Sequence, residues 1–376
     1  MNIVLIGPSW PFKGGIAYHT TLLYRALRRN HQVEFITFKR QYPAWLYPGE
    51  GDKDEDNTTL REDQARPLID SLNPISLIRT AQAIEHFDPE LLLVPWWVAF
   101  WAPHFLLLIR SVRRRCPNCR VVFVCHNVTA HDSGILSRRL TQVTLAQGDA
   151  FLVQSGRDRE CLLELLPDAI VEQVEHPSYD LFPGEQFDRD AARQRLQLEG
   201  NVALFFGFVR PYKGLDILLE ALPATLEQID LQVVIVGEFW RGADHYRQSL
   251  ERLGVADHVH IVDAYVPHDD VARWFAATEV VLLPYLEATG SGVLKLAYGC
   301  GRCAIGSQVG SLGEAIIDGE SGLLVPPGDA GALAEAVIRF FKDGLRDQFE
   351  ADVRRRRQEY SWQALVDAVQ RLGAPR

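Results

Sequence analysis

The sequence has little lysine, no excess of positive charge and no long unbroken apolar run. Among its 376 residues, six are lysine and 33 are arginine, and the formal net charge is −10. Nucleic-acid phosphates select basic surfaces, so this balance argues against a nucleic-acid partner. The negative net charge does not exclude small anionic ligands, because individual cations can bind them. Three of the six lysines, Lys13, Lys213 and Lys295, lie in loops that contain glycine.

Cysteine is also scarce, with six residues in the chain. Free thiols fit a reducing cytoplasm, and the opening MNIVLIG, which lacks a basic segment, predicts no secretory signal. Two pairs have CxxC spacing, Cys116/Cys119 and Cys300/Cys303. A zinc ribbon would need both pairs at one closed site, so we favour structural use over zinc binding.

The apolar stretch at residues 91–109 carries no formal charge, but Pro95, Pro103 and His104 interrupt it. A membrane span needs ~20 mostly apolar residues in an unbroken run. We therefore predict a strand, a loop and a helix that begins near Pro103. A packed aromatic cluster is favoured here over peripheral contact with an anionic membrane, which stays an alternative. The residues concerned are Trp96, Trp97, Phe100, Trp101, Arg110, Arg113, Arg114 and Arg115.

Short apolar runs alternate with helical patterns, which is typical of βαβ units and parallel sheets. The predicted strands are residues 3–6, 33–38, 91–94, 121–125, 151–153, 203–206, 233–236, 259–262, 280–283 and 323–325. Two such series indicate an α/β protein of two Rossmann-like domains whose parallel sheets face a central cleft. The polar segment at residues 176–200 places the boundary, giving domains 1–182 and 183–359. The acidic run at residues 52–57 is interpreted as a solvated loop, with a metal site as the alternative.

A glycine pair, Gly14 and Gly15, stands where the first helical pattern begins. Glycine lets the backbone approach a ligand closely, and the helix end supplies N–H donors for a phosphate. A tight turn that needs positive φ explains this motif equally well. The phosphate interpretation gains weight only because the other half of the chain contains a second loop of the same kind.

That second loop follows the predicted strand at residues 280–283. Pro284 ends the strand, a turn rich in glycine and serine follows at residues 289–292, and a helical pattern begins behind it. This order exposes N–H groups at the positive end of a helix dipole, where phosphate oxygens bind well.

A cationic turn, RPYKG, follows the predicted strand at residues 203–206 and precedes another helical pattern. Arg210 and Lys213 would lie at the carboxyl edge of the second sheet, where open α/β folds bind ligands. Two cations there suit a diphosphate leaving group, whose charge grows as its bond to a sugar breaks. Ordinary surface cations are the alternative.

These landmarks together resemble the retaining, GT-B-type glycosyltransferases of family four (glycosyl transferases group 1) over nearly the whole chain. The matching segments are Gly14–Gly15, the pair His126/Asn127, RPYKG, GSLGE at 310–314, DGESGLLVPPGD at 318–329 and YSW at 360–362. The resemblance implies transfer of a sugar from a nucleotide diphosphate donor, which is a substrate, with no cofactor and no metal. It also implies that the helix at 360–376 packs back on the first domain.

The resemblance assigns catalytic roles to His126, Arg210, Lys213 and Glu287. Arg210 and Lys213 match the cations that stabilise the diphosphate, although Phe208 stands where the family usually has an arginine. His126 matches the histidine that contacts the donor sugar, with a core or capping histidine as the alternative. The residues that it implies for donor binding are Gly14, Gly15, Val266, Gly290, Ser291, Gly292, Val293 and Lys295.

The family pattern has two glutamates eight positions apart, and this chain departs from it at the second. Glu287 fits the first, whereas Lys295 occupies the second. In relatives the second glutamate holds the ribose hydroxyls, and a lysine accepts no hydrogen bonds. The ribose contact must therefore change, and Lys295 reaching the diphosphate is one alternative.

The favoured function is therefore sugar transfer from a UDP-sugar, with a GDP-sugar as the alternative donor, to a glycan, a lipid-linked saccharide or a small molecule. Two other classes stay open. A sugar-nucleotide epimerase or phosphorylase would use the same architecture, and the lysine at position 295 suggests a subunit that binds nucleotide sugar without turnover. The arginines at 354–357 are interpreted as a solvated helix face, with membrane contact as the alternative.

Overall fold

The computed structural model describes most of the chain. The described residues are 1–46, 51–55, 58–128, 134–179, 188–240, 242–266, 268–288, 290–356 and 360–374. The chain divides into two units, one formed by Met1–His176 with Ser361–Arg376 and the other by Pro177–Tyr360. The boundary predicted between residues 182 and 183 falls outside the described residues and stays a prediction.

The first unit is built on a parallel sheet of seven strands in the order β3-β2-β1-β4-β5-β6-β7. Its strands are β1 Asn2–Ile6, β2 Gln32–Arg40, β3 Arg66–Asp70, β4 Leu91–Trp96, β5 Arg120–Cys125, β6 Ala150–Val153 and β7 Val171–Gln173. Its helices are α1 Gly15–Leu27, α2 Pro74–Phe87, α3 Ala102–Arg115, α4 Ile135–Leu145, α5 Gly156–Leu165 and, at the end of the chain, α14 Trp362–Gly373.

Both faces of this sheet are covered, which is why its strands are apolar without alternation. Helices α2, α3, α4 and α5 bury their apolar sides on one face, and α1 and α14 cover the other. Burial of the central strands is complete, as at Leu92 and Val122. The helix ends are defined locally, since Asn73, Ser155 and Ser361 cap α2, α5 and α14 with side-chain oxygens.

The second unit contains a parallel sheet of six strands in the order β10-β9-β8-β11-β12-β13. Its strands are β8 Val202–Phe206, β9 Gln232–Val236, β10 Val259–Val262, β11 Val280–Leu283, β12 Ala304–Ser307 and β13 Gly322–Val325. Its helices are α6 Arg189–Leu196, α7 Leu215–Leu226, α8 Asp244–Leu253, α9 His268–Ala277, α10 Gly292–Gly299, α11 Gly310–Ala315, α12 Ala330–Lys342 and α13 Arg346–Arg356.

In both units the strand order reverses beside the first strand, β1 or β8, as in doubly wound sheets. The predicted α/β class with two parallel-sheet domains is confirmed. All ten predicted strands are present, and the sequence prediction missed β3, β7 and β12. Ligands of such sheets bind at the carboxyl ends of the strands beside the reversal. In the second sheet these strands are β8 and β11, so the loops that follow them are the expected binding loops.

The aromatic cluster of residues 96–101 is packed, not exposed. Trp96 and Trp101 are 1% and 0% exposed, and the indole Nε1 of Trp97 donates a hydrogen bond to the Tyr42 hydroxyl at 2.8 Å. None of the helices in the described ranges combines the length and apolar composition that a bilayer span requires.

The two CxxC pairs are buried, and the described arginines of the run at 354–357 form ion pairs. Cys116 and Cys119 are buried in the first unit, and Cys300 and Cys303 are buried in the second. In α13, Arg354, Arg355 and Arg356 pair with carboxylates of Glu350, Asp352 and Glu320. Residue 357, and residues 56–57 of the acidic run, lie outside the described part of the chain.

Candidate functional site

The loop after β8 runs alongside the loop after β9 at the carboxyl edge of the second sheet. Gly207 has a φ of 92°, and its N–H donates to the Val236 carbonyl at 2.9 Å. The Val209 N–H donates to the Glu238 carbonyl, also at 2.9 Å. These bonds continue the strand pairing beyond the sheet, so the RPYKG turn starts from a fixed position.

Two glycines hold the loop after β11 by close backbone contact. A Cβ on Gly214 would lie 1.9 Å from the Pro284 carbonyl oxygen, and one on Gly310 would lie 1.7 Å from that of Ala288. Both glycines have positive φ, 67° and 44°. The RPYKG turn and the GSLGE segment therefore fix residues 284–288 from two sides, and only glycine fits at either contact.

Lys213 is a buried cation within this edge. Its side chain is 6% exposed, and Nζ donates a long hydrogen bond of 3.4 Å to the Phe206 carbonyl. A Cβ on Gly207 would meet Lys213 Nζ at 3.1 Å and Val293 Cγ2 at 3.2 Å, so the ammonium group lies beside the first turn of α10. Burial, and secondarily the charge of Arg210, lowers the pKa of Lys213 to about 7.

The N-terminus of α10 provides hydrogen-bond donors next to that ammonium group. Ser291 caps the helix, its Oγ accepting from the Leu294 N–H at 3.1 Å. The N–H groups of Gly292 and Val293 belong to the first turn, where a helix has no internal acceptors. A Cβ on Gly290 would meet no atom of the described residues within 4 Å. The structure thus brings Lys213, Gly290, Ser291, Gly292 and Val293 together, which matches an anion-binding arrangement.

Arg210 lies against two aromatic rings, and one of them, Trp240, was not among the site residues predicted from the sequence. Its guanidinium carbon lies 3.4 Å from the ring centroid of Trp240 and 5.9 Å from that of Phe208. Phe208 also contacts Trp240, with ring centroids 5.6 Å apart, and Tyr265, at 6.1 Å. Phe208 follows β8 and Trp240 follows β9, and these two strands become neighbours only in the folded sheet. Stacking of this kind orients a guanidinium without neutralising it.

Glu287 and Val266 lie in neighbouring loops of the same unit. Glu287 is exposed in the loop between β11 and α10. Val266 is 8% exposed and follows β10, next to Tyr265 in the chain. Both residues therefore belong to the carboxyl edge, while their contacts with a donor stay predictions.

Lys295 is directed towards an aromatic ring. Its side chain is 4% exposed, and Nζ lies 4.0 Å from the ring centroid of Tyr360 and 6.0 Å from that of Tyr298. Aromatic faces attract ammonium groups, most strongly where both are removed from water. The ammonium thus has a definite place within the second unit, and a role in donor binding stays a prediction.

The first unit presents a glycine-bordered helix start of its own. Gly14, with φ 107°, is the N-cap of α1 and has no side chain to cap the helix. Within the described part of the chain, a Cβ there would meet no atom within 4 Å, and Gly15 is exposed. The predicted pair therefore lies at the N-terminus of α1, and Gly15 is accessible there.

His126 follows β5, and its ring contacts the ring of His19, which belongs to α1. The rings of His126 and His19 meet edge to face, with centroids 4.4 Å apart, and His19 Nε2 lies 2.8 Å from Gln154 Nε2. Burial lowers the pKa of His126 to about 4, so the imidazole is neutral near pH 7. Its Nε2 is buried and has no hydrogen-bond partner of ordinary geometry within the described residues, while interaction with the Gln154 side chain opposes part of the lowering of the His126 pKa.

Two parallel doubly wound sheets, each with glycine-bordered loops at its carboxyl edge, define the GT-B fold class. Solved structures agree with that class. Sucrose-phosphate synthase from Thermosynechococcus elongatus superposes with a TM-score of 0.73 at 20% identity, covering 99% of this chain and 98% of the other. Alr3699/HepE of Anabaena, in complex with UDP-glucose, gives a TM-score of 0.76 at 15% identity over 99% and 98%.

Residues 200–343, which lie within the second unit, match the family described as Glycosyl transferases group 1. D-inositol 3-phosphate glycosyltransferase 1 of Catenulispora acidiphila is 30% identical over 239 residues, 60% of this chain and 57% of that protein. Phosphatidyl-myo-inositol mannosyltransferase of Mycobacterium leprae is 29% identical over 179 residues, 46% of each. The chain thus spans about half the length of the curated relatives it matches.

Proposed function

We propose that this protein transfers a sugar from a nucleotide diphosphate donor to an acceptor with retention of the anomeric configuration. The buried ammonium of Lys213 beside the N-terminus of α10, within the family-matched residues, is the observation that carries the proposal. A cation removed from water interacts with phosphate charge more strongly than an exposed one. Burying this cation costs folding free energy, and an anion bound beside it would offset that cost.

In this proposal Arg210 and Lys213 stabilise the departing diphosphate, whose negative charge grows in the transition state. The N–H groups of Gly292 and Val293 bind further phosphate oxygens. Glu287 orients the donor sugar and stabilises developing positive charge on it. Two fixed cations supply the charge that a metal provides in other enzymes, so we propose that no metal is resident.

The acceptor is proposed to be a glycan or a lipid-linked saccharide, and the protein to act in the cytoplasm. The named activities of the relatives support a sugar donor, and the UDP-glucose complex of the structural neighbour favours UDP. A GDP-sugar is the alternative donor.

A donor screen tests the proposal. The full chain is incubated with UDP-, GDP- and dTDP-sugars, and nucleotide release is followed with and without saccharide acceptors. We expect one donor to be consumed faster with acceptor, and the new linkage to keep the donor's anomeric configuration by NMR. Conversion of a donor without acceptor would support an epimerase or phosphorylase, whereas binding without turnover would support a silent subunit.

Replacing Trp240 with alanine is expected to lower turnover about tenfold, because Arg210 loses the ring over which it stacks. Trp240→Phe keeps an aromatic face and should recover most of the activity. The measurement is kcat and KM for the donor found in the screen, with circular dichroism to check folding. Equal losses in both variants would mean that the ring acts through packing and does not position Arg210.

A further inference from the structure

The outer surface of α2, α3 and α4 combines exposed apolar side chains with arginines. These three helices bury one side against the first sheet, and α3 packs against both α2 and α4. Their other sides form what we call the outer helical face. It consists of Ile75, Ile78, Arg79, Leu107, Arg110, Arg114, Leu136, Arg139, Leu140 and Val143.

Helix α4 shows the pattern most clearly. Leu136, Arg139, Leu140 and Val143 follow the i, i+3, i+4, i+7 spacing that places side chains on one side of a helix. Leu136 is 72% exposed and Val143 is 46% exposed. Folding therefore leaves an apolar stripe of this helix in solvent, although burial of such side chains is favourable.

The arginines of this face are available to a partner. Arg79, Arg110, Arg114 and Arg139 are exposed, and the structure gives none of the four an ion pair or hydrogen bond within the described residues. Helices α2, α3 and α4 together carry a positive net charge, opposite in sign to the net charge of the whole chain. The three helices contain seven arginines and a single acidic residue, Glu85, whereas the whole chain has a net charge of −10.

We propose that the outer helical face docks on a membrane surface that contains anionic lipids. Apolar side chains with arginines beside them fit the boundary between acyl chains and phosphate headgroups. Nucleic acid would use the arginines but not the exposed leucines. A second copy of the same face would bring like charges together, which opposes self-association. The aromatic residues of the stretch at 91–109 are packed, as the sequence favoured, whereas Arg110 and Arg114, which follow that stretch, lie on this face.

Vesicle sedimentation with the full chain tests this surface independently of the transferase activity. The vesicles contain phosphatidylcholine alone or phosphatidylcholine with about 30% phosphatidylglycerol, at low and high salt. We expect binding to the anionic vesicles only, and weaker binding at high salt because exposed charges are screened. Absence of binding, or equal binding to neutral vesicles, would overturn the proposal.

Two double variants separate the contributions of charge and apolar contact. Arg110→Gln/Arg114→Gln should weaken binding to anionic vesicles at least about tenfold. Leu136→Ser/Leu140→Ser should weaken it by a similar factor while keeping the salt dependence. The matched control is Arg29→Gln/Arg252→Gln, which removes two exposed arginines elsewhere.

All these side chains are exposed, so the melting temperatures should stay close to that of the unsubstituted protein. Equal binding of the control and the test variants would contradict the proposal. So would a concentration-dependent dimer that Leu136→Ser/Leu140→Ser abolishes without any change in vesicle binding, since the partner would then be a second copy.

Discussion

Replacing Lys213 with methionine is expected to lower kcat by about 100- to 1000-fold, the range typical for loss of one preorganised group that stabilises transition-state charge. Methionine keeps an unbranched apolar chain in a buried position and removes only the ammonium. The measurement is steady-state turnover with the donor from the screen, together with thermal melting. A large loss of stability with intact specific activity would contradict the catalytic assignment.

The lowered pKa of Lys213 also predicts the direction in which Lys213→Met changes the melting temperature. The pKa of Lys213 in the fold, about 7, lies below the unfolded value of about 10.4. The native state therefore binds fewer protons than the unfolded state between these values, and stability rises with pH across that window. Below pH 7 the full cost of a buried charge is present, so Lys213→Met should melt at an equal or higher temperature than the unsubstituted protein at pH 6.

The lowered pKa also predicts how activity depends on pH. If the ammonium form is required, kcat/KM should fall as pH rises through about 7, because the free enzyme then loses the proton. A bound diphosphate favours the charged form, so kcat should fall only at higher pH. Lys213→Met should lack this titration. An unchanged fall in the variant would assign the pH dependence to another group.

Replacing Gly214 with alanine is expected to destabilise the fold by more than about 3 kcal/mol and to abolish turnover. The new methyl group would lie 1.9 Å from the Pro284 carbonyl oxygen, so backbone must move. Such a shift would change the position of Lys213 relative to the loop that precedes α10. Urea unfolding and turnover, measured on the same preparation, report both effects.

Gly254 provides a matched control for the backbone conformation. Its φ is 70°, close to the 67° of Gly214, but a Cβ there would meet no atom of the residues that the structure describes within 4 Å. Gly254→Ala should therefore cost only about 1 kcal/mol, the price of a left-handed alanine. Similar losses in the two variants would mean that the contact with Pro284 does not matter.

The sequence was sufficient to predict the two parallel sheets because buried strands of such sheets are continuous apolar runs. The three missed strands lack that signal. β3 reads RPLID, with charged residues and a proline at an edge position, β7 has three residues, and β12 reads AIGS, in which only Ile305 is large and apolar. Their pairing depends on neighbours that are distant in sequence.

The candidate site was partly predictable. Lys213 and the α10 start could be identified because each follows a strand and precedes a helical pattern. The contact between the Trp240 ring and Arg210 could not be predicted, because the strands that precede these residues, β9 and β8, become neighbours only in the folded sheet. The same is true of His19 beside His126, where the contact joins α1 to the end of β5.

Calorimetric titration with UDP and GDP tests most directly the claim that Arg210 and Lys213 hold a nucleotide diphosphate. We expect one of the two to bind with a Kd below about 1 mM, at least about tenfold weaker binding to Lys213→Met, and unchanged binding to Arg252→Gln. If neither nucleotide binds at millimolar excess, or if Lys213→Met binds as tightly as the unsubstituted protein, the account is wrong.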